Sequence, residues 1–128
     1  MTEHRPDSHR TVLLIGSDLM ARERIRSAAA HQGMKSVSAA PADMIDALRA
    51  EAPDVLVLDL DEGRDALLAD LESARANELT PDLVIGFYSH VDAELGRAAE
   101  EAGCRAVRRG RFWASLPEFL GEAPTRGF

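Results

Sequence analysis

Carboxylates and arginines beside short apolar runs are the residues of this chain with the most chemical reach. Asp59 closes the run Val55-Leu56-Val57-Leu58, and Asp61 and Glu62 follow it. Gly16-Ser17-Asp18 ends the run Val12-Leu13-Leu14-Ile15. Tyr88-Ser89-His90 and the stretch Arg109 to Phe112 end two later runs. Several chemistries are absent from this set. His4, His9, His31 and His90 lack the spacing of metal ligands. Ser17, Ser89 and His90 form no G-x-S-x-G nucleophile signature, and Gly16-Ser17-Asp18 lacks the later glycines of a dinucleotide fingerprint. No enzyme activity is expected. Arg105, Arg108, Arg109 and Arg111 form a basic cluster, with Phe112 and Trp113 beside it. Trp and Arg commonly anchor interfaces, so this stretch is read as an interaction face. The alternative reading is a solvated charge run.

The elements that position these residues alternate in kind. Val12–Ile15, Val55–Leu58 and Leu83–Phe87 are short continuous apolar runs, the pattern of strands buried on both faces. Lys35–Ser38 and Arg105–Arg108 are weaker strands, the former near an edge. Asp18 to Gln32 carries Ala21, Ile25, Ala28 and Ala29 at helical spacing, and Gly33 stops it. Pro41 sits in the first turn of a second helix whose stripe is Met44, Ala47 and Leu48. A third helix uses Leu67, Leu68, Leu71 and Ala74. Ser89-x-x-Asp92 resembles a capping box for a fourth, burying Val91, Leu95, Ala98 and Ala102. A short fifth begins at about Leu116, capped by Ser115. Five strands alternating with five helices imply an α/β fold, a parallel sheet covered on both faces. Binding sites in such sheets form at the carboxyl ends of the strands.

The 128 residues suffice for one domain at 10–121, between disordered tails at 1–9 and 122–128. One cysteine, Cys104, excludes a disulfide scaffold. The net charge of -7 disfavours nucleic acid and anionic membrane as partners. No apolar run spans a bilayer and no secretion signal opens the chain, so a cytoplasmic location is expected. The fourteen arginines against Lys35 alone read as codon bias.

Pro53-Asp54-Val55-Leu56-Val57-Leu58-Asp59 and Glu101-Ala102-Gly103-Cys104 resemble the third strand and the approach to the fifth in receiver (CheY-like) domains of bacterial response regulators. The resemblance spans roughly residues 11–121. It implies a five-stranded parallel sheet in the order 2-1-3-4-5, with Asp59 as the phosphoacceptor equivalent. It also implies departures. Gly16 and Ser17 stand where the family carries an acidic pair, Tyr88 falls at its switch Ser/Thr with Ser89 one residue later, and Gly110 falls at its lysine. Cys104 falls at a small buried alanine.

Phosphoryl transfer to aspartate in this family uses Mg²⁺, which takes an oxygen shell partly supplied by carboxylates. Losing two acids and the lysine leaves Asp59 short of partners. The expected product is a degenerate receiver with no resident metal, one that signals by phosphorylation-independent protein–protein interaction. Its face would be the fourth helix, fifth strand and fifth helix, which carry the arginine cluster. The partner would be another protein, a histidine kinase among the candidates, or a second copy of the chain. Two alternatives stand beside this. Asp59 with displaced acids (Asp18 or Asp61) could still bind Mg²⁺ weakly and accept phosphate, with Arg109 or Arg111 near the missing lysine. The vacated pocket could instead hold a small molecule. Asp18 is read first as favouring a helix N-terminus. Tyr88 is read either as a plug in the pocket or as simple packing.

Overall fold

The computed structural model describes residues 10–89 and 92–123. The strands are β1 (Thr11–Ile15), β2 (Lys35–Ala39), β3 (Val55–Asp59), β4 (Leu83–Tyr88) and β5 (Arg105–Arg108). All neighbouring pairs are parallel, in the order β2-β1-β3-β4-β5. The helices are α1 (Leu19–His31), α2 (Met44–Glu51), α3 (Arg64–Ala76), α4 (Ala93–Glu101), α5 (Arg109–Ala114) and α6 (Leu116–Gly121). Short 3₁₀ turns, Pro41–Asp43 and Leu60–Glu62, lead into α2 and toward α3.

Side chains alternate across each strand, and here both faces need cover. Val12, Leu14, Val57, Ile85 and Phe87 pack with Ile25 of α1 and with Phe112 and Phe119 of α5 and α6. Leu13, Ile15, Leu56 and Leu58 pack with Met44, Leu71 and Leu95 from α2, α3 and α4. Thus α1 leaves β1 toward one face, while α3 leaves β3 toward the other. The two departures open a crevice at the carboxyl ends of β1 and β3. At one position in the sheet any side chain would force its neighbours to shift. A Cβ on Gly86 would fall 2.6 Å from Leu60 Cδ1 and 2.9 Å from Cys104 Sγ. Cys104 is buried, and burial pushes its thiol up to about 12.

The expected strands, the first three helices and their buried stripes are present; Gly33 follows α1 at φ +70°, a conformation glycine enters without steric cost. Four local expectations are corrected. The last helical region is two helices, because Arg109–Ala114 already winds before Ser115, and Ser115 makes no side-chain cap. The start of α4 is no Ser89 capping box: Asp92 is itself the N-cap, accepting from the Glu94 and Leu95 amides. Its side chain also pairs with Arg64. In α4 the buried positions are Leu95 and Ala99, followed by Ala102, while Ala98 is exposed. The folded body also extends beyond residue 121, since Ala123 is buried and Glu122 pairs with Arg105. Val91, His90, the segment 1–9 and residues 124–128 lie outside the described residues. No helix among the described residues is long and apolar enough to cross a membrane.

Candidate functional site

Asp18 is the N-cap of α1. Its Oδ1 accepts from the amides of Met20 at 2.9 Å and Ala21 at 3.4 Å, as expected of a cap. Its other oxygen, Oδ2, accepts from Arg109 Nη2 at 3.1 Å. Arg109 is the first residue of α5, and its second terminal nitrogen reaches Asp61 Oδ2 at 2.9 Å and Asp59 Oδ1 at 3.5 Å. One guanidinium therefore joins three carboxylates from three elements. Its Cζ lies 4.7 Å from the centroid of the Phe87 ring, a cation–π contact.

All but one of the remaining oxygens are also engaged. Asp61 accepts from Ser89 through both the backbone N–H (3.0 Å) and the hydroxyl (2.7 Å). Both oxygens of Glu62 accept from the Ser17 amide, at 3.0 and 2.8 Å. Asp59 Oδ1 also accepts from the Asp61 amide at 3.1 Å. Among the described residues, Asp59 Oδ2 alone in this set has no hydrogen-bond partner.

Asp59 is buried, with 2% of its surface exposed. Burial pushes its carboxyl up to about 6, against the pull of Arg109 and of the Asp61 amide; the neighbouring charges of Glu62 and Asp61 push the same way as burial. Asp61 moves in the opposite direction. Burial again works against ionisation, but the two Ser89 hydrogen bonds and Arg109 hold its carboxyl below the ordinary range.

The position before Ser17 is crowded by Asp59. A Cβ on Gly16 would lie 3.0 Å from Asp59 Cβ and 3.6 Å from Glu62 Oε2. A side chain here would press on Asp59 and need it to give by a few tenths of an ångström, and Glu62 already reaches back into that space. The residues present do not fit Mg²⁺ while Arg109 is in place, because every carboxylate oxygen of the set except Asp59 Oδ2 already accepts from Arg109, Ser89 or a backbone amide. A hard cation needs several such oxygens at once.

Several expected site residues lie elsewhere. Tyr88 does not plug the acidic cluster; it lines a cavity with Arg105, Arg108 and Arg111. Gly110, expected to mark a lost cation, faces open space, and the cation comes from the preceding residue. Within the expected interaction face, Phe112 is fully buried and Arg109 turns into the cluster. Trp113 is half-buried against Phe87 and Phe112, with Arg24 5.1 Å above its ring. Arg105, Arg108 and Arg111 remain on the surface. Glu62, read from the sequence only as one of the acids following Asp59 that could stand in for the missing pair, instead accepts the Ser17 amide. A small cavity of about 220 Å³, bordered by Asp18, Met20, Arg24 and Trp113, adjoins the cluster.

No family model matches the chain, and no curated protein matches it significantly. Solved structures do. A response regulator from Thermotoga maritima superposes with a TM-score of 0.75 at 18% identity, covering 89% of this chain and 96% of its own. The chain has the receiver, or CheY-like, fold. Two further solved structures agree in shape. A CheY-like protein (TadZ) from Pseudomonas aeruginosa gives 0.66 at 19% identity, over 90% of this chain and 99% of that one. A putative pilus assembly-related protein from Burkholderia pseudomallei gives 0.70 at 17% identity, over 98% and 100%. In this receiver fold, Asp59 sits at the carboxyl end of the central strand β3, and the loops after β1, β3 and β4 meet around it.

Proposed function

We propose that this receiver-like chain is a signalling module that works by protein–protein interaction and needs no phosphorylation. The observation that carries this reading is Arg109. Its guanidinium occupies the space between Asp18, Asp59 and Asp61, where a divalent cation would have to enter. A positive charge built into the chain partly offsets these carboxylates and holds the place an ion from solution would take. The Asp61–Ser89 pair then ties the loop after β3 to the end of β4 in one arrangement. With that loop fixed, recognition falls to the surface, and the exposed arginines beside β5 are the part of an acidic protein best able to steer an acidic partner.

One observation favours a second reading. Asp18, Asp61 and Glu62 all gather around Asp59, so displaced acids are present for a phospho-accepting receiver if Arg109 swings away. The small-ligand reading rests on the cavity beside Asp18, since the vacated position itself holds Glu62.

Incubation with acetyl phosphate and Mg²⁺, followed by intact-mass analysis, separates these readings. The expected result is no added phosphoryl group and no beryllofluoride adduct. A stoichiometric, hydroxylamine-labile phosphoryl group that disappears in Asp59→Asn would overturn the proposal.

A further inference from the structure

β5 is the last strand of the sheet, so among the described residues one side of its backbone has no strand beside it. Beyond its pairing with β4, the backbone of Ala106, Val107 and Arg108 makes no hydrogen bond to a loop or cap among the described residues. Along this edge runs a cavity of about 410 Å³. All four residues of β5 line it, with Tyr88, Arg111 and Phe119. Phe119 belongs to the core on one face of the sheet, whereas Tyr88 packs against the core on the other. A cavity touching both must straddle the edge itself.

Its chemistry is one-sided. Arg108 and Arg111 are exposed and have no carboxylate partner among the described residues. The Tyr88 hydroxyl makes no hydrogen bond among them either. Arg105 already shows what this edge accepts: it holds the Glu122 carboxylate through both terminal nitrogens, at 3.0 and 3.3 Å. A forked guanidinium–carboxylate pair of this kind is directional as well as charged.

We infer that the β5 edge is a docking groove for an extended acidic segment of a partner protein, which adds as a sixth strand. Main-chain hydrogen bonds to the open edge would supply affinity, and Arg108 and Arg111 would select acids at alternate positions of the incoming strand. Arginines on an edge also discourage pairing of like copies, so the same side chains exclude self-association through this strand and admit an acidic one. The inference rests on the proposed interaction role and adds the partner's chemistry.

The test uses the full chain and a labelled hexapeptide, acetyl-Glu-Val-Glu-Val-Glu-Val-amide. Two companion peptides carry N-methyl groups on one or the other set of alternate amides, which keeps the charge and removes the donors along one edge of the peptide. Anisotropy should report binding of the parent peptide. One of the two methylated peptides should lose about tenfold or more in affinity, because a strand pairs along one side only. The Arg108→Glu/Arg111→Glu variant, checked for folding by circular dichroism, should lose binding by a similar factor, and amide exchange at residues 105–108 should slow with the parent peptide. Equal binding of all three peptides would show a polyanion surface and overturn the inference. So would binding of inorganic triphosphate without the peptide, or no peptide binding at millimolar concentration. Loss of peptide binding with Asp59 inert to acetyl phosphate rejects strand addition alone, whereas a phosphorylated Asp59 with peptide bound rejects the phosphorylation-independent role alone.

Discussion

A single guanidinium answers three carboxylates at position 109, and this sets how each of them behaves. Asp59 is the member that stays poorly served, with its carboxyl pushed up to about 6 by burial. The sign of its effect follows from linkage. A raised carboxyl binds its proton more tightly in the folded state, so stability from this group is fullest below its unfolded value near 3.9 and is lost as pH rises through about 6. Asp59→Asn should therefore stabilise the chain at pH 8 by about 1–3 kcal/mol, with little gain at pH 4. Urea denaturation at the two pH values measures this, and equal shifts at both would contradict it. Arg109→Met should do the reverse. It leaves three carboxylates facing one another, which should cost about 1–3 kcal/mol given the partial exposure of the site. The same variant should gain saturable Mg²⁺ binding, visible as a change in Trp113 fluorescence that the unmodified chain lacks.

Elements hold these residues in place through close packing. The β4 strand passes Leu60 and Cys104 so closely that Gly86→Ala should destabilise the chain by about 1–3 kcal/mol through overpacking. Adding Cys104→Ala should recover part of that loss in the melting temperature. The start of α5 is fixed in turn by Phe112, which stacks 4.8 Å from Phe87 and 5.9 Å from Phe119. Phe112→Ala should cost about 3–5 kcal/mol. Because Arg109 lies one turn before Phe112 on the same short helix, that substitution should also loosen the clamp. Faster amide exchange at Asp61 and Ser89 would report it.

For the molecule as a whole, charge is divided between an acidic body and an arginine-bearing edge. The chain carries -7 overall, yet Arg105, Arg108 and Arg111 gather beside β5. Such a division steers encounters more than it stabilises the fold. Arg108→Glu with Arg111→Glu should accordingly leave stability within about 0.5 kcal/mol, since both side chains are exposed and unpaired. Millimolar Mg²⁺ should leave the melting temperature of the unmodified chain unchanged, because a ligand raises stability only where it binds the folded state.

The apolar runs ending at Ile15, Leu58 and Phe87 were enough to specify a parallel sheet, because a strand buried on both faces must be apolar at every position. Asp18 was legible as a helix cap for the same local reason: a cap needs only the residues that follow it. Its second bond was not legible, since Arg109 lies 91 residues away and meets it only once the sheet brings the ends of β1 and β5 around that of β3. Phe112 and Trp113 read as surface anchors beside arginines, yet the extra turn of α5 carries Phe112 into the core. Local pattern determined which elements form and which faces they bury. Only the tertiary structure decided which charge balances which, because electrostatic pairing depends on distance in space and the chain records only distance along itself.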